Sequence, residues 1–326
     1  MKKMLVIVGP TASGKTALAL DLAKLYKGYL LSADSRQVYK GLDIISGKDI
    51  PSNTLFIDES HNYPLLSKKY KIGYYLLQDI PIYLLDLVSP TYNFSVHDYL
   101  MVSQDVLTYK KSDQALPILV GGSGFYINSL LYGIETVNIP QDKHLRIGLE
   151  NASVPDLVEI LKKLNPKKFN SMNESDSKNP VRLIRAIEVA QFGNLDIHIE
   201  QRIVDEFKTL IIGLKMNRME IKRRIDVRVD KRIKQGAFEE AENLFNNYKN
   251  LSNGVKSANG YKQLFEYFKG DATKEEAIQK WRTSEYLNAK KQMTWFKKDK
   301  NIQWFDVEDP NMKKQIDKLV KVWLTS

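Results

Sequence analysis

An α/β fold, a mostly parallel sheet flanked by helices with a small helical insertion, is predicted by three observations. Short apolar runs recur at residues 4–8, 29–33, 82–88, 116–120 and 209–214, as strands buried on both faces require. The stretches between them have room for helices, the usual connection between parallel strands. Finally, the first run ends in a glycine-containing turn and leads straight into Ala17, Leu18, Leu20, Leu22, Ala23 and Leu25 at helical spacing.

The elements follow in order. Met4–Val8 reads as a buried strand; two lysines precede it, but the run is too short for a signal peptide. No stretch approaches the length that crosses a bilayer, so a cytoplasmic protein without membrane contact is expected. Residues 1–139 form the first part of the core. From 140 to 178 the texture turns polar and helix-forming, as in VPDLVEILKKLNPKKF, then loop-like in NSMNESDSKNP; this reads as a helical insertion domain. Residues 179–326 complete the core, and beyond 215 the chain reads as charged and helical almost to its end.

Composition narrows the chemistry. The 326 residues, 43% of them hydrophobic, suffice for one sizeable core and a smaller lobe. Lys and Arg number 49 against 39 acidic residues, a net charge of +10, which favours polyanionic partners without identifying one. The absence of cysteine excludes disulfides, thiolate metal sites and Cys nucleophiles. His61, His97, His144 and His198 are scattered without ligand spacing.

The turn after the first strand is Gly9-Pro10-Thr11-Ala12-Ser13-Gly14-Lys15-Thr16, a complete G-x-x-x-x-G-K-[ST] between a strand and a helix. Its glycines let backbone N–H groups curl around phosphate oxygens, Lys15 neutralises charge, and the Thr16 hydroxyl is suited to Mg²⁺. The sheet is therefore P-loop NTPase-like. The second run is followed at once by Asp34-Ser35-Arg36-Gln37, which puts Asp34 at a strand's carboxyl end on the edge that carries the P-loop. A capping role for Asp34 in the next turn fits equally well.

Six ordered blocks resemble the tRNA dimethylallyltransferases, or tRNA isopentenyltransferases. They are GPTASGKT, Asp34 to Lys48 (DSRQVYKGLDIISGK), Gly121 to Tyr126 (GGSGFY, similar to GGTGLY), Asn179 to Val189 (NPVRLIRAIEV), Gly260 to Gln263 (GYKQ), and Ala289 to Phe296 (AKKQMTWF). The chain departs from the family pattern at Ile82-Tyr83, where a His-containing pair is usual, at Lys291 in place of Arg, and in a longer stretch from Lys48 to Pro81. Ser123 stands for Thr and keeps the hydroxyl.

The resemblance implies transfer of a dimethylallyl group from dimethylallyl diphosphate to N6 of the adenosine 3′ of the anticodon, with Mg²⁺ as cofactor. It implies a monomer acting on the tRNA anticodon stem-loop, with the insertion touching RNA. Gly9 to Thr16 and Arg223 would hold the diphosphate. Asp34 would take the amine's proton, assisted by Thr11, Lys15 and Arg224. Arg223 and Arg224 are neighbours on different helix faces, and Arg224 is favoured because it opens an R-I-x-x-R pattern running to Arg228. Asp34, Ser35, Arg36, Gln37 and Ser123 would read the base. Val181, Arg182, Leu183, Ile184, Arg185, Lys262 and Lys290 would contact the rest of the RNA. Residues 215–234 hold nine basic and three acidic residues, equally a phosphate-binding face or a solvated helix surface.

Other readings remain open. A P-loop kinase of a small metabolite would use Asp86 for Mg²⁺ and the arginines as a lid, and an isopentenyltransferase of free adenine nucleotides would need no RNA. A non-catalytic RNA-binding switch would leave the Asp34 block without a purpose.

Overall fold

The computed structural model describes residues 2–133, 136, 139, 141–192 and 203–326, so His198 lies outside the described residues. Two compact units emerge, Met1–Tyr132 with Arg202–Ser326, and Gly133–Gln201.

The first unit is built on eight strands: β1 Lys2–Val8, β2 Gly28–Ala33, β3 Phe56–Asp58, β4 Gly73–Leu77, β5 Ile80–Tyr83, β6 Leu116–Gly121, β7 Phe207–Lys215 and β8 Ile302–Asp306. They lie in the order β3-β4-β5-β2-β6-β1-β7-β8. From β5 to β8 every pairing is parallel, and β3 and β4 add an antiparallel edge. Leu5, Ile7, Leu30, Ile118, Val120 and Ile212 point to one face, where Leu18 and Leu22 of α1 (Lys15–Tyr26) and Ile316, Val320 and Trp323 of the terminal helix bury them. Alternation sends Met4, Val6 and Val8 to the other face, and all three are fully buried. Each Leu or Ile so enclosed contributes about 1.5–3 kcal/mol, which explains why unbroken apolar runs became the central strands.

The fifth strand is a correction. The run 82–88 is a strand only to Tyr83, because Leu84 and Asp86 have φ of 67° and 54° and leave the ladder. The amide of Asp86 instead bonds the Gln37 carbonyl at 3.0 Å. The chain beyond 215 is also not helical throughout. After α2 (Val96–Tyr109) and α3 (Gly124–Tyr132) in this unit, and α4 (Lys143–Leu149), α5 (Val154–Leu164), α6 (Pro166–Ser171), α7 (Glu174–Ser177) and α8 (Pro180–Gln191) in the other, it holds α9 (Arg218–Lys234), α10 (Ala237–Asn247), α11 (Asn253–Lys256), α12 (Tyr261–Phe268) and α13 (Lys274–Phe296), then returns to the sheet as β8 before α14 (Met312–Thr325).

In the second unit, the helix-forming stretch VPDLVEILKKLNPKKF makes two helices that divide at Asn165, whose side chain caps the Lys168 amide of the one beginning at Pro166. The helix Pro180–Gln191 belongs here and not to the completed core. Its Leu183, Ala186 and Ile187 pack on Leu157 and Leu161. Glu188, with a side chain wholly removed from solvent, accepts the guanidinium of Arg146 at 2.7 and 2.8 Å, that of Arg185 at 2.6 Å, and the Asp142 amide at 2.9 Å.

Candidate active site

Strand register sets the site. Val8 pairs with Gly121 and Gly213, and Gly121 pairs with Ala33, so β1, β2 and β6 end level with one another and β7 runs two residues further. The loops that follow, Gly9 onward, Asp34 onward and Gly122 onward, therefore emerge at one carboxyl edge, where ligands of open parallel sheets bind. They line a cavity of about 680 Å³ together with residues of α9 and α13.

The phosphate loop has the backbone its sequence demands. Gly14 sits at φ 85° and Ala12 at 62°, turning the chain tightly before α1. Gly9 admits no side chain, since a Cβ would stand 2.8 Å from the Leu214 carbonyl oxygen. Lys15 folds back to donate to the Pro10 carbonyl at 2.7 Å. Its chain keeps some exposure while its ammonium is enclosed. Burial, aided by the charge of Arg228, lowers its pKa to about 7 against the opposing pull of Asp34. The Ser13 hydroxyl is buried without a hydrogen-bond partner. An enclosed amine and an unpaired donor are what an incoming anion would satisfy.

Two long-range contacts brace this loop. Arg228 Nη1 donates to Thr11 Oγ1 at 2.7 Å. Gln292 Oε1 accepts the Thr11 amide at 2.8 Å, while Nε2 donates to the Gly122 carbonyl at 3.0 Å, so one side chain of α13 ties two loops together. Neither residue stands out by type or spacing. Gln292 does fall in the AKKQ block and Arg228 closes R-I-x-x-R, the signals that could have found them.

Asp34 lines the cavity along with the phosphate loop, and its Oδ1 also accepts the Arg36 amide at 2.8 Å, so it caps the turn as well. Ser35 and Ser123 join through the Ser35 amide and the Ser123 hydroxyl at 2.9 Å. Gln37 is held at both ends, by Ser32 Oγ at 2.9 Å and the Gly47 carbonyl at 3.0 Å, and Arg36 donates to the Gly254 carbonyl at 2.5 Å. Thr16, Arg223 and Arg224 line the cavity too. Both arginines are engaged by Glu220, at 2.7 and 2.6 Å, and it is Arg228 that reaches the loop.

The remaining residues singled out in the sequence lie elsewhere. Lys290 is exposed on α13, and Lys262 borders a second cavity with Phe245, Tyr248, Lys249, Lys256 and Lys269. In the second unit Val181 is exposed and Ile184 partly so. Arg182 pairs with Asp176. Arg185 donates to the Thr136 and Ile139 carbonyls at 2.8 and 2.9 Å besides Glu188, so its fork is committed to its own unit. Leu183 is fully buried, which corrects its reading as an RNA contact: it is core. Asp86, the acid a kinase reading would need, is ion-paired to buried Lys48 and accepts the Tyr75 hydroxyl at 2.7 Å.

The family model described as IPP transferase matches residues 65–299. The chain belongs to the IPP transferase family. As a member of that family it is a transferase. It is 35% identical over 335 residues to a tRNA dimethylallyltransferase of Ligilactobacillus salivarius, covering 99% of each chain. It is also 35% identical over 319 residues to the tRNA dimethylallyltransferase of Thermoanaerobacter sp. (strain X514), covering 94% and 92%. Among solved structures, the full-length tRNA isopentenylpyrophosphate transferase of Bacillus halodurans matches all of this chain and 96% of its own, with TM-score 0.69 and 29% identity. A eukaryotic dimethylallyltransferase acting on tRNA, 21% identical, shares the fold with TM-score 0.77 over 80% of its length. Among the described residues of this IPP transferase, no helix is long and apolar enough to cross a membrane.

Proposed function

We propose that this chain transfers a dimethylallyl group from dimethylallyl diphosphate to N6 of the adenosine 3′ of the anticodon in tRNA, acting as a monomer in the cytoplasm. The observation that carries the reading is the shared cavity: Asp34 lines it together with a phosphate loop whose Lys15 ammonium is enclosed and whose Ser13 hydroxyl is unpaired. The diphosphate settles on the N–H groups from Gly9 to Thr16, with Lys15 and Arg228 as cations. N6 attacks the allylic carbon, the carbon–oxygen bond breaks, and diphosphate departs. Charge gathers on that leaving group, so donors already fixed around it lower the barrier. An aromatic amine is a weak nucleophile, and Asp34 helps by accepting the proton N6 sheds.

Thr16, at the first turn of α1, is the residue that would hold Mg²⁺. Among the described residues no three His, Cys, Asp or Glu side chains form a metal cage. An Mg²⁺ held there would supply charge neutralisation to the departing diphosphate.

The acceptor base must leave its stack to reach so recessed a centre. Ser35, Ser123 and Gln37 border the place it would occupy. Exposed Arg182, Lys262 and Lys290 would supply phosphate contacts. The test is direct: incubate the protein with labelled dimethylallyl diphosphate, Mg²⁺ and either total tRNA or AMP. Label in tRNA and none in AMP supports the reading; label in AMP alone assigns the free nucleotide as acceptor, and label in neither removes prenyl transfer.

A further inference from the structure

Arg228 and Arg232 lie one turn apart on α9, and both guanidiniums converge on Gly47. A Cβ at Gly47, where φ is 70°, would collide with the Nη2 atoms of both, so the two like charges sit within a few ångström of each other. Arg232 is 4% exposed, its Nη2 has no hydrogen-bond partner, and Glu285 approaches only to 3.7 Å. Both arginines line the cavity that holds the phosphate loop, and Arg228 is already joined to that loop through Thr11. A buried cation with an unsatisfied donor and a half-buried one beside it repel each other unless an anion bridges them.

We propose that Arg228 and Arg232, converging over Gly47, form a second anion seat that receives one phosphoryl group of the prenyl donor's diphosphate while the phosphate loop holds the other. This rests on the transferase reading above. It adds a division of labour: the loop recognises a phosphate, and the arginine pair measures that there are two. A planar fork suits the task, because it donates two parallel hydrogen bonds to one phosphoryl group. Gly47 belongs to the seat because any side chain there would push the forks apart. The chemistry fits equally an RNA backbone phosphate, and the seat's continuity with the loop through Thr11 favours the diphosphate.

The experiment uses the full chain and inorganic probes, so it does not depend on transfer activity. Calorimetric titration with inorganic diphosphate and with inorganic phosphate is compared for the wild type, Arg232→Met, Arg232→Lys and Gly47→Ala, with thermal melts alongside. The seat predicts that Arg232→Met weakens diphosphate binding by about tenfold or more, as loss of a charge-assisted pair would. Phosphate binding should change less than about twofold, with Arg232→Lys intermediate. Gly47→Ala should follow Arg232→Met. A lowered melting temperature with the diphosphate-to-phosphate affinity ratio unchanged would overturn the proposal and make Arg232 a structural partner of Glu285. Weakened tRNA binding with unchanged diphosphate binding would also overturn it, giving the seat to the RNA backbone. Should the seat hold while no acceptor is labelled, the failure would lie with the transfer reading and not with the seat.

Discussion

Gln292 holds Thr11: the side chain on α13 accepts the amide of the phosphate loop at 2.8 Å, across 281 residues of sequence. Its other end fixes the Gly122 carbonyl, so the loops after β1 and β6 cannot drift apart independently. Removing it as Gln292→Ala should leave the fold intact. We expect KM for dimethylallyl diphosphate to rise and kcat to fall, together by about tenfold or more in kcat/KM, since lost pre-organisation acts on both. Gln292→Glu should be worse than Ala in donor binding, because it sets a negative charge against the anion site. Steady-state kinetics with circular dichroism as the folding control checks both.

Lys15 gives the site a pH dependence with a defined sign. Its pKa is lowered to about 7, so the cation that greets the diphosphate is lost as pH rises through that value. Free-enzyme affinity for diphosphate should therefore fall from pH 6 to pH 9, and binding at pH 8 should take up close to one proton. Titration calorimetry in buffers of different ionisation enthalpy measures that uptake, and Lys15→Met should abolish it. For folding the sign is opposite: between about 7 and the ordinary lysine value the unfolded chain binds the extra proton, so stability without ligand should rise with pH in that window.

The second unit depends on Glu188. Burial works to raise its carboxyl, but hydrogen bonds from Arg146, Arg185 and the Asp142 amide outweigh this and hold its pKa down at about 2. A depressed carboxylate contributes stability present above its unfolded value and lost as pH falls through the folded one. Acid should therefore loosen residues 141–192 progressively as pH falls from the ordinary value of 4.5 towards about 2. Glu188→Gln should loosen them at neutral pH, leaving Arg146 and Arg185 without their carboxylate. Leu183→Ala should cost about 2–5 kcal/mol in the same unit. Hydrogen exchange resolved by segment reads all three; protection in 141–192 unchanged in both variants would contradict this account.

Much of this was legible in the sequence, for identifiable reasons. β1, β2, β6 and β7 lie between neighbours and under helices, so their runs are apolar without interruption and carry their own signal. The strands β3 and β4 are short and half-exposed at the edge, and GYYLL shows no alternation and only a four-residue apolar run beside charged and polar neighbours. IQWFD escaped within a charged, helical stretch, although its Trp304 covers Gly213 of β7. The phosphate loop and Asp34 were readable because each directly follows a strand. Arg224 and Arg228 share one face of α9 at a spacing of four, so periodicity had no means to choose between them; the choice is made by Thr11, 217 residues away. Leu183 fell within a motif otherwise rich in arginine, and only packing distinguishes a core leucine from its exposed neighbour Val181.

The central claim is that Asp34 takes the proton from N6 beside a diphosphate held in the loop. Single-turnover transfer from labelled dimethylallyl diphosphate to tRNA by Asp34→Asn tests it most directly, with tRNA affinity measured on the same protein. The account predicts a rate lowered about a hundredfold to ten-thousandfold with tRNA affinity nearly unchanged. A variant that transfers at the wild-type rate, or whose loss is explained wholly by weaker tRNA binding, would contradict it.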